Sequence, residues 1–534
     1  MGIPRAQLED QRLPDGPSFV EGSWHWFLAI AIAAIAFLFR LVPVLRGGGL
    51  FGLGNYDDGV YYAASTGIAH GLLPYRDFLL LHPPGVPLLL TPFALVGQLT
   101  SDSYGFAAAR VAWMLLGALN AVLILRILRP IGVIAAIFGA LGYAVFYHAV
   151  YADHTTLLES PATTALLLAI LLLEPLSNAR YLSRGRAFVA GAVLGLTVAI
   201  KIWGVVTVVI VLGWLLLIRR FRAALHVAMG CATLAGLICL PFFGAAPTEM
   251  WRQLVRDQVV RHANRGVTLL GRLDEIVGLG IVGRPYAYIT VIAVVALVSC
   301  AALAWTYREA RLSVLLLLGQ GAFLLVTPTW FPHYAGFTAA PVVLVFGAAI
   351  GRLIALVRAR PARIAVAVVA AAALLVYASG WSDIHFGRRF PDQFRPPAGS
   401  APGCVTTDDA TALMETNTLS RNLSRGCRFI ADLGGHSHDM AAASANMVSR
   451  NKNKPFQRMA LTYLSTGSVT ILIRFSAGRG FSSQTTTVLQ KWPLLARSGR
   501  NEVRQPVALG QSAMIGSPTP QRRERGSPRR RGLR

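Results

Sequence analysis

The chain has 534 residues, 54% hydrophobic and only 14% charged, against roughly 25% charged in a typical soluble domain. That composition excludes an ordinary soluble enzyme and points to a polytopic membrane protein. A net charge of +25 invites a nucleic-acid reading. Arginine supplies nearly all of it, however, clustered at the ends of apolar runs and in the last residues of the chain, so it reads as membrane topology and no nucleic-acid partner is expected.

In chain order, a polar tail (1–23) precedes an apolar run too long for a cleaved signal peptide, so that run is read as a retained helix. About eleven spans are predicted, near 24–45, 107–127, 131–150, 162–175, 187–200, 203–218, 224–244, 286–305, 312–328, 335–352 and 364–381, making up a membrane domain over 24–381. This assignment puts Arg126 and Arg129, Arg180 to Arg186, Arg219 to Arg222, Arg308 and Arg311, and Arg352 to Arg363 on one side. The positive-inside rule makes that side cytoplasmic, with the N-terminus inside and the C-terminus outside. The apolar stretch PPGVPLLLTPFALVGQL (83–99) would break the pattern if it crossed, so it is read as a surface helix within an outer loop, 46–106, that caps the membrane domain.

After 381 the chain turns polar. TTDDATALMETNTLSRNLSRG has a helical pattern and SVTILIRFS reads as a strand. An extracytoplasmic α/β domain is expected over 382–505, followed by a disordered basic tail, 506–534. The fold class is therefore an all-α polytopic membrane protein with a small α/β C-terminal domain. Cys231, Cys239 and Cys300 fall in apolar runs, whereas Cys404 and Cys427 lie where a disulfide is possible in an extracytoplasmic domain.

The outer loops hold the candidate chemistry. Asp57 and Asp58 either cap a surface helix or supply a general base. Asp77 beside Arg76 either fixes a loop or meets substrate; His82, before two prolines, either caps the surface helix or donates to a phosphate. Asp153, His154 and Glu159 permit a second acid/base residue or a divalent metal. Arg110 and Lys201 are cations on the wrong side. A lysine at mid-bilayer costs ~2.5–3.5 kcal/mol, so the helix is expected to break at Lys201 and leave it in the outer interface. The segment WRQLVRDQVVRHANRG (251–266) aligns Trp251, Leu254, Val255 and Val259 on one face and predicts an amphipathic helix on the outer leaflet, carrying Arg252, Arg256, Arg261 and Arg265. Trp330, His333 and Tyr334 occupy another outer loop, as interfacial anchors or sugar contacts. His436 and His438, in GGHSHDM, have only a weak resemblance to a metal site.

These motifs resemble, in order, those of GT-C membrane glycosyltransferases of the protein O-mannosyltransferase and aminoarabinose-transferase type (glycosyltransferase family 39-like). Asp57, Asp58 and Tyr61 match an acidic pair followed by Tyr, and His82-Pro83-Pro84 resembles a basic residue with two prolines, His replacing Lys. FAAARVAWMLLGAL is similar to an Arg-bearing second span, LLESPATTALLLAI to a second acidic motif with Glu159 for Asp, LGLTVAIKIWG to a Lys-Gly stretch, and PHYAGFTAAPVVLVFG to an aromatic-Tyr motif. The resemblance covers about residues 20–360. It implies inverting transfer of a sugar from a polyprenyl-phosphate donor to a glycan, lipid or protein acceptor at the outer face of the plasma membrane. In that scheme Asp57 is the base, with Asp58 and Glu159 as further catalytic residues. Arg110, Lys201, Arg256, Arg261 and His82 hold the donor phosphate, and Tyr61, Asp77, His154, His333 and Tyr334 touch substrate. No cofactor is required, although a divalent cation, Mg or Mn, stays open. The alternative is a polyprenyl-linked glycan flippase or transporter, which would carry ionisable residues along a path through the spans.

Overall fold

The computed structural model describes residues 19–177, 182–259, 267–282, 286–443 and 449–507. The predicted spans correspond to helices α1 (Phe19–Gly47), α4 (Asp102–Leu128), α5 (Val133–Val145) with α6 (Tyr147–Asp153), α7 (Glu159–Ser177), α8 (Arg184–Ile200), α9 (Gly204–Leu217), α10 (Phe221–Ala245), α14 (Ala287–Trp305), α15 (Arg311–Val326), α16 (Gly336–Leu356) and α17 (Arg360–Ser379). Between them lie α2 (Tyr56–Ala69) and α3 (Gly85–Leu99) in the outer loop, and the short α11 (Pro247–Trp251), α12 (Asp257–Val259) and α13 (Leu269–Ile276). Among the described residues seven helices are long and apolar enough to cross a membrane, eight if α5 and α6, bent by 58°, make one span.

The break predicted at Lys201 is present, and its physical cause is visible. Lys201 ends α8 in an extended conformation. Helices α8 and α9 have 17 and 14 residues, about 26 and 21 Å at 1.5 Å per residue, short of a ~30 Å core. The chain turns back tightly between them. A Cβ on Gly204 would lie 2.4 Å from the Thr197 carbonyl carbon, so only glycine fits there. Deep in the bundle, Arg40 of α1 and Asp153 at the end of α6 are both buried and paired at 2.7 Å, and the Tyr143 hydroxyl donates to the same carboxylate.

The outer layer is one packed unit. β1 (Gly52–Leu53) of the first outer loop pairs antiparallel with β2 (Arg388–Arg389), which follows the last span. Beyond it a four-stranded sheet in the order β3-β4-β8-β7 contains β3 (Val405–Thr407), β4 (Val469–Leu472), β7 (Leu494–Ser498) and β8 (Asn501–Arg504). β3 and β4 run parallel and the other pairs antiparallel. A two-stranded ladder, β5 (Ser476–Ala477) with β6 (Gly480–Phe481), projects after β4. The predicted helical stretch after residue 405 divides into β3 and two short helices, Thr411–Glu415 and Leu419–Ser424, separated at Asn417, whose φ is 54°. Cys404 and Cys427 are joined as a disulfide. One apolar cluster runs from Tyr62, Leu90 and Trp113 to Phe394, Leu413 and Ile471 without a gap. Burying a large side chain of this kind stabilises by ~1.5–3 kcal/mol, so the α/β domain is seated on the outer loop rather than tethered to it.

Candidate active site

Helix α2 places the acidic pair. Its N-cap is Asn55, whose side chain accepts the Asp57 N–H at 3.0 Å, so neither carboxylate is needed as the cap. Successive residues on a helix point about 100° apart, and the two aspartates accordingly meet different surroundings. Asp58 turns inward and is fully buried. It accepts from Arg110 Nε and Nη2 at 2.9 and 2.6 Å, and from the Thr156 N–H and hydroxyl at 2.9 and 2.7 Å. Asp57 turns to a cavity of about 530 Å³ at the junction of α2, the Lys201 turn, the 331–334 loop and the α/β domain.

That cavity brings together Asp57, Tyr61, His82, Lys201, His333 and Tyr334, which sequence reasoning had selected from four separate segments. Lys201 Nζ donates to Glu159 Oε1 at 2.6 Å and lies 4.0 and 4.6 Å from the ring centroids of Trp203 and Tyr334. Glu159, in the first turn of α7, is buried behind Lys201 and borders a small void rather than the main cavity; its Oε2 has no hydrogen-bond partner among the described residues. An ammonium has three donors. Glu159 takes one, and aromatic faces stabilise the charge without using the others.

Several expectations are corrected. Asp58 and Arg110 do not face the cavity. Arg110 is fully buried, and beyond Asp58 it donates to the Gly49, Leu50 and Gly52 carbonyls; these two residues form a structural lock. Asp77 is held by Arg76 and by the Leu73 N–H and lines a separate cavity of about 410 Å³. His154 is buried and stacks on Phe386, ring centroids 3.9 Å apart. Asp153 is taken by Arg40. Among the described residues no three His, Cys, Asp or Glu side chains converge as a metal-binding group.

The predicted amphipathic helix also differs. Here α11 runs into a π-helical turn, Arg252–Arg256, and then α12, while Arg261 and Arg265 lie outside the described residues. Leu254 is buried and Trp251 exposed, because this segment packs between residues 80–81 and the α/β domain instead of laying its apolar stripe on lipid. Arg252 pairs with Glu249 and with Asp439 at 2.7 Å. Arg256 lies 4.0 Å from Asp257 and outside the cavity.

The α/β domain supplies a second wall, of which sequence reasoning had singled out only His438. It brings Asp432, His438, Arg450, Arg474 and Arg479 to the cavity. Arg474 pairs with Asp409 at 3.0 Å and lies over the Tyr56 ring. Arg450 donates to Ser437 and lies 4.9 Å from the Phe475 centroid. The available signal was the Gly-bracketed arginine in RFSAGRG, where Gly478 and Gly480 both have positive φ and shape the turn that carries Arg479. His438 and His436 fall on different cavities, on either side of the first turn of helix His436–Ala443.

A fold of this kind has been seen before. Over 91% of this chain and 98% of the other, the structure superposes on ArnT from Cupriavidus metallidurans, solved bound to undecaprenyl phosphate, with TM-score 0.58 and 16% identity. Over 85% and 70% it superposes on the oligosaccharyltransferase of Archaeoglobus fulgidus in the apo form, with TM-score 0.53 and 13% identity. The same organism's AglB, in complex with an inhibitory peptide and a dolichol-phosphate, gives TM-score 0.51 at 14% identity, over 85% and 70%. No curated protein matches the sequence. The shared architecture is the GT-C fold, as the motif resemblance implied. Within it, residues 80–328 match the model of Glycosyltransferase family 87, a stretch that includes His82, Glu159 and Lys201.

Proposed function

We propose that the protein transfers a sugar from a polyprenyl-phosphate donor to an acceptor hydroxyl at the extracytoplasmic membrane face, with inversion. One observation carries this reading: Asp57, a carboxylate, and Lys201, a cation drawn from a distant helix pair, line one cavity at the outer end of the bundle. Asp57 takes the acceptor's proton as the hydroxyl oxygen attacks the anomeric carbon. The bond from that carbon to the phosphate oxygen breaks, and its electron pair leaves with the lipid phosphate. Lys201, aimed by Glu159, meets the charge developing on that phosphate, and His82 stands on the same wall. This scheme needs no metal ion for the phosphate charge, so EDTA treatment should leave transfer unchanged.

The arginine clusters support a cytoplasmic N-terminus and an extracytoplasmic α/β domain. The flippase alternative calls for ionisable groups open to a path through the spans. Arg40 and Asp153, deep in the bundle, instead close on each other outside the cavity. The test is transfer from a labelled polyprenyl-phosphate sugar by purified protein in nanodiscs. Asp57→Asn should lower the rate by about 10²-fold or more, the usual weight of a general base. Unchanged transfer would remove Asp57 from that role.

A further inference from the structure

The stretch Leu80–His82 lines the cavity, yet it belongs to no helix or strand that would satisfy its backbone. Side chains from elsewhere satisfy it instead. The Leu80 N–H donates to Gln253 Oε1 at 2.9 Å, Gln258 Nε2 donates to the Leu81 carbonyl at 2.7 Å, and the Tyr75 hydroxyl donates to the His82 carbonyl at 2.8 Å. Gln253 is buried, 3% exposed.

Gln253 and Gln258 are five residues apart, roughly 140° around an ordinary α-helix, too far round to grip two adjacent residues of one extended stretch. The π-helical turn Arg252–Arg256, closed by the Asp257 N–H on the Arg252 carbonyl, brings residues five apart back to one side. Residues 251–259 contain neither Pro nor Gly, so no local breaker accounts for the turn. The turn coincides with the double grip on Leu80 and Leu81.

The far end of the stretch packs on the turn that precedes Lys201. A Cβ on Gly85 would lie 2.5 Å from the Ala199 carbonyl oxygen, so the backbone just past His82 abuts the last turn before Lys201. We infer that Gln253 and Gln258 are positioning residues: through the π turn they hold His82 at a set spacing from Lys201, so that both grip one phosphate of the lipid donor. This inference rests on the phosphate assignment proposed above.

The two glutamines play opposite hydrogen-bonding parts, which gives the clamp a signature that general destabilisation lacks. Gln253 accepts and Gln258 donates. The experiment uses the full chain in nanodiscs, with binding of a sugar-free polyprenyl phosphate and donor KM and kcat as readouts. Gln253→Ala and Gln258→Ala should each weaken phosphate binding and raise donor KM about tenfold, with kcat within about twofold, as expected for a lost buried hydrogen bond that acts on position rather than chemistry. Gln253→Glu, which still accepts, should restore binding. Gln258→Glu, which cannot donate, should behave like Gln258→Ala, whereas Gln258→Lys should restore it. If both alanine variants bind as the parent does while Lys201→Met does not, the clamp is overturned and the phosphate site stands. Rescue that ignores the donor and acceptor parts overturns it equally. If Lys201→Met also binds normally, the phosphate assignment fails, and the clamp's role with it.

Discussion

Two buried ion pairs lie at the end of the bundle that carries the α/β domain and look alike in composition: Arg110 with Asp58, and Lys201 with Glu159. They differ in what is left over. Arg110 spends its donors on one carboxylate and three carbonyls, and Asp58 is further bonded by Thr156. Lys201 gives one bond to Glu159, faces the cavity and rests against two aromatic rings. A closed pair of this kind holds a fold together, while an open one retains charge and donors for a ligand. Burial alone does not separate them, since all four side chains are within 5% of fully covered.

Breaking each pair should separate stability from activity. Lys201→Met combined with Glu159→Gln, which leaves no orphaned buried charge, should cost about 10²-fold or more in transfer, the scale of losing an electrostatic contact to a leaving group, with the melting temperature little changed. Arg110→Met should do the reverse: an orphaned buried Asp58 costs about 3–5 kcal/mol, so the folded yield and melting temperature should fall. If the fraction that does fold transfers as poorly as that double variant, the contrast between the pairs is wrong. Glu159→Gln should raise donor KM by roughly tenfold, because a neutral partner aims Lys201 less firmly; steady-state kinetics with the lipid donor would show it.

A smaller effect sharpens the closed side. The carboxylate of Glu415, on a short helix of the α/β domain, lies 4.0 Å from Arg110 and 3.7 Å from Arg395, and neither of its oxygens has a hydrogen-bond partner among the described residues. Burial pushes its carboxyl up to about 7, an effect that the arginines oppose. A raised acid pKa means that the folded state binds the proton more tightly than the unfolded chain does. The associated stability is complete below the ordinary carboxyl value of 4.5 and is lost as the pH rises through about 7. The melting temperature should therefore decline between pH 5 and pH 8, and Glu415→Gln should flatten that part of the profile, as thermal unfolding at several pH values would show.

What was legible in the sequence follows from which forces act locally. Hydropathy located the helices of the bundle because a bilayer imposes length rules on each segment separately, although among the described residues only seven of them, or eight with the bent pair, are long and apolar enough to cross one. The break at Lys201 was legible for the same reason, since a single buried lysine carries its own cost. The division of labour between Asp57 and Asp58 was not: it depends on Arg110, 52 residues away. Asp77 and His154 were misjudged because a loop salt bridge and a ring stacked on Phe386 look, in sequence, like polar residues awaiting a substrate. The arginines of the α/β domain escaped notice because no bilayer rule applies there, and their arrival at the cavity depends on how that domain is seated.

The short ladder between β1 and β2 joins the first outer loop to residues that emerge only after α17. During synthesis, then, the apolar side of α2 that later meets Leu413 has to wait for nearly the whole bundle to be inserted. A chain that stops short of Leu413 leaves that surface bare. Closure of the cavity therefore depends on the last helix having reached its place.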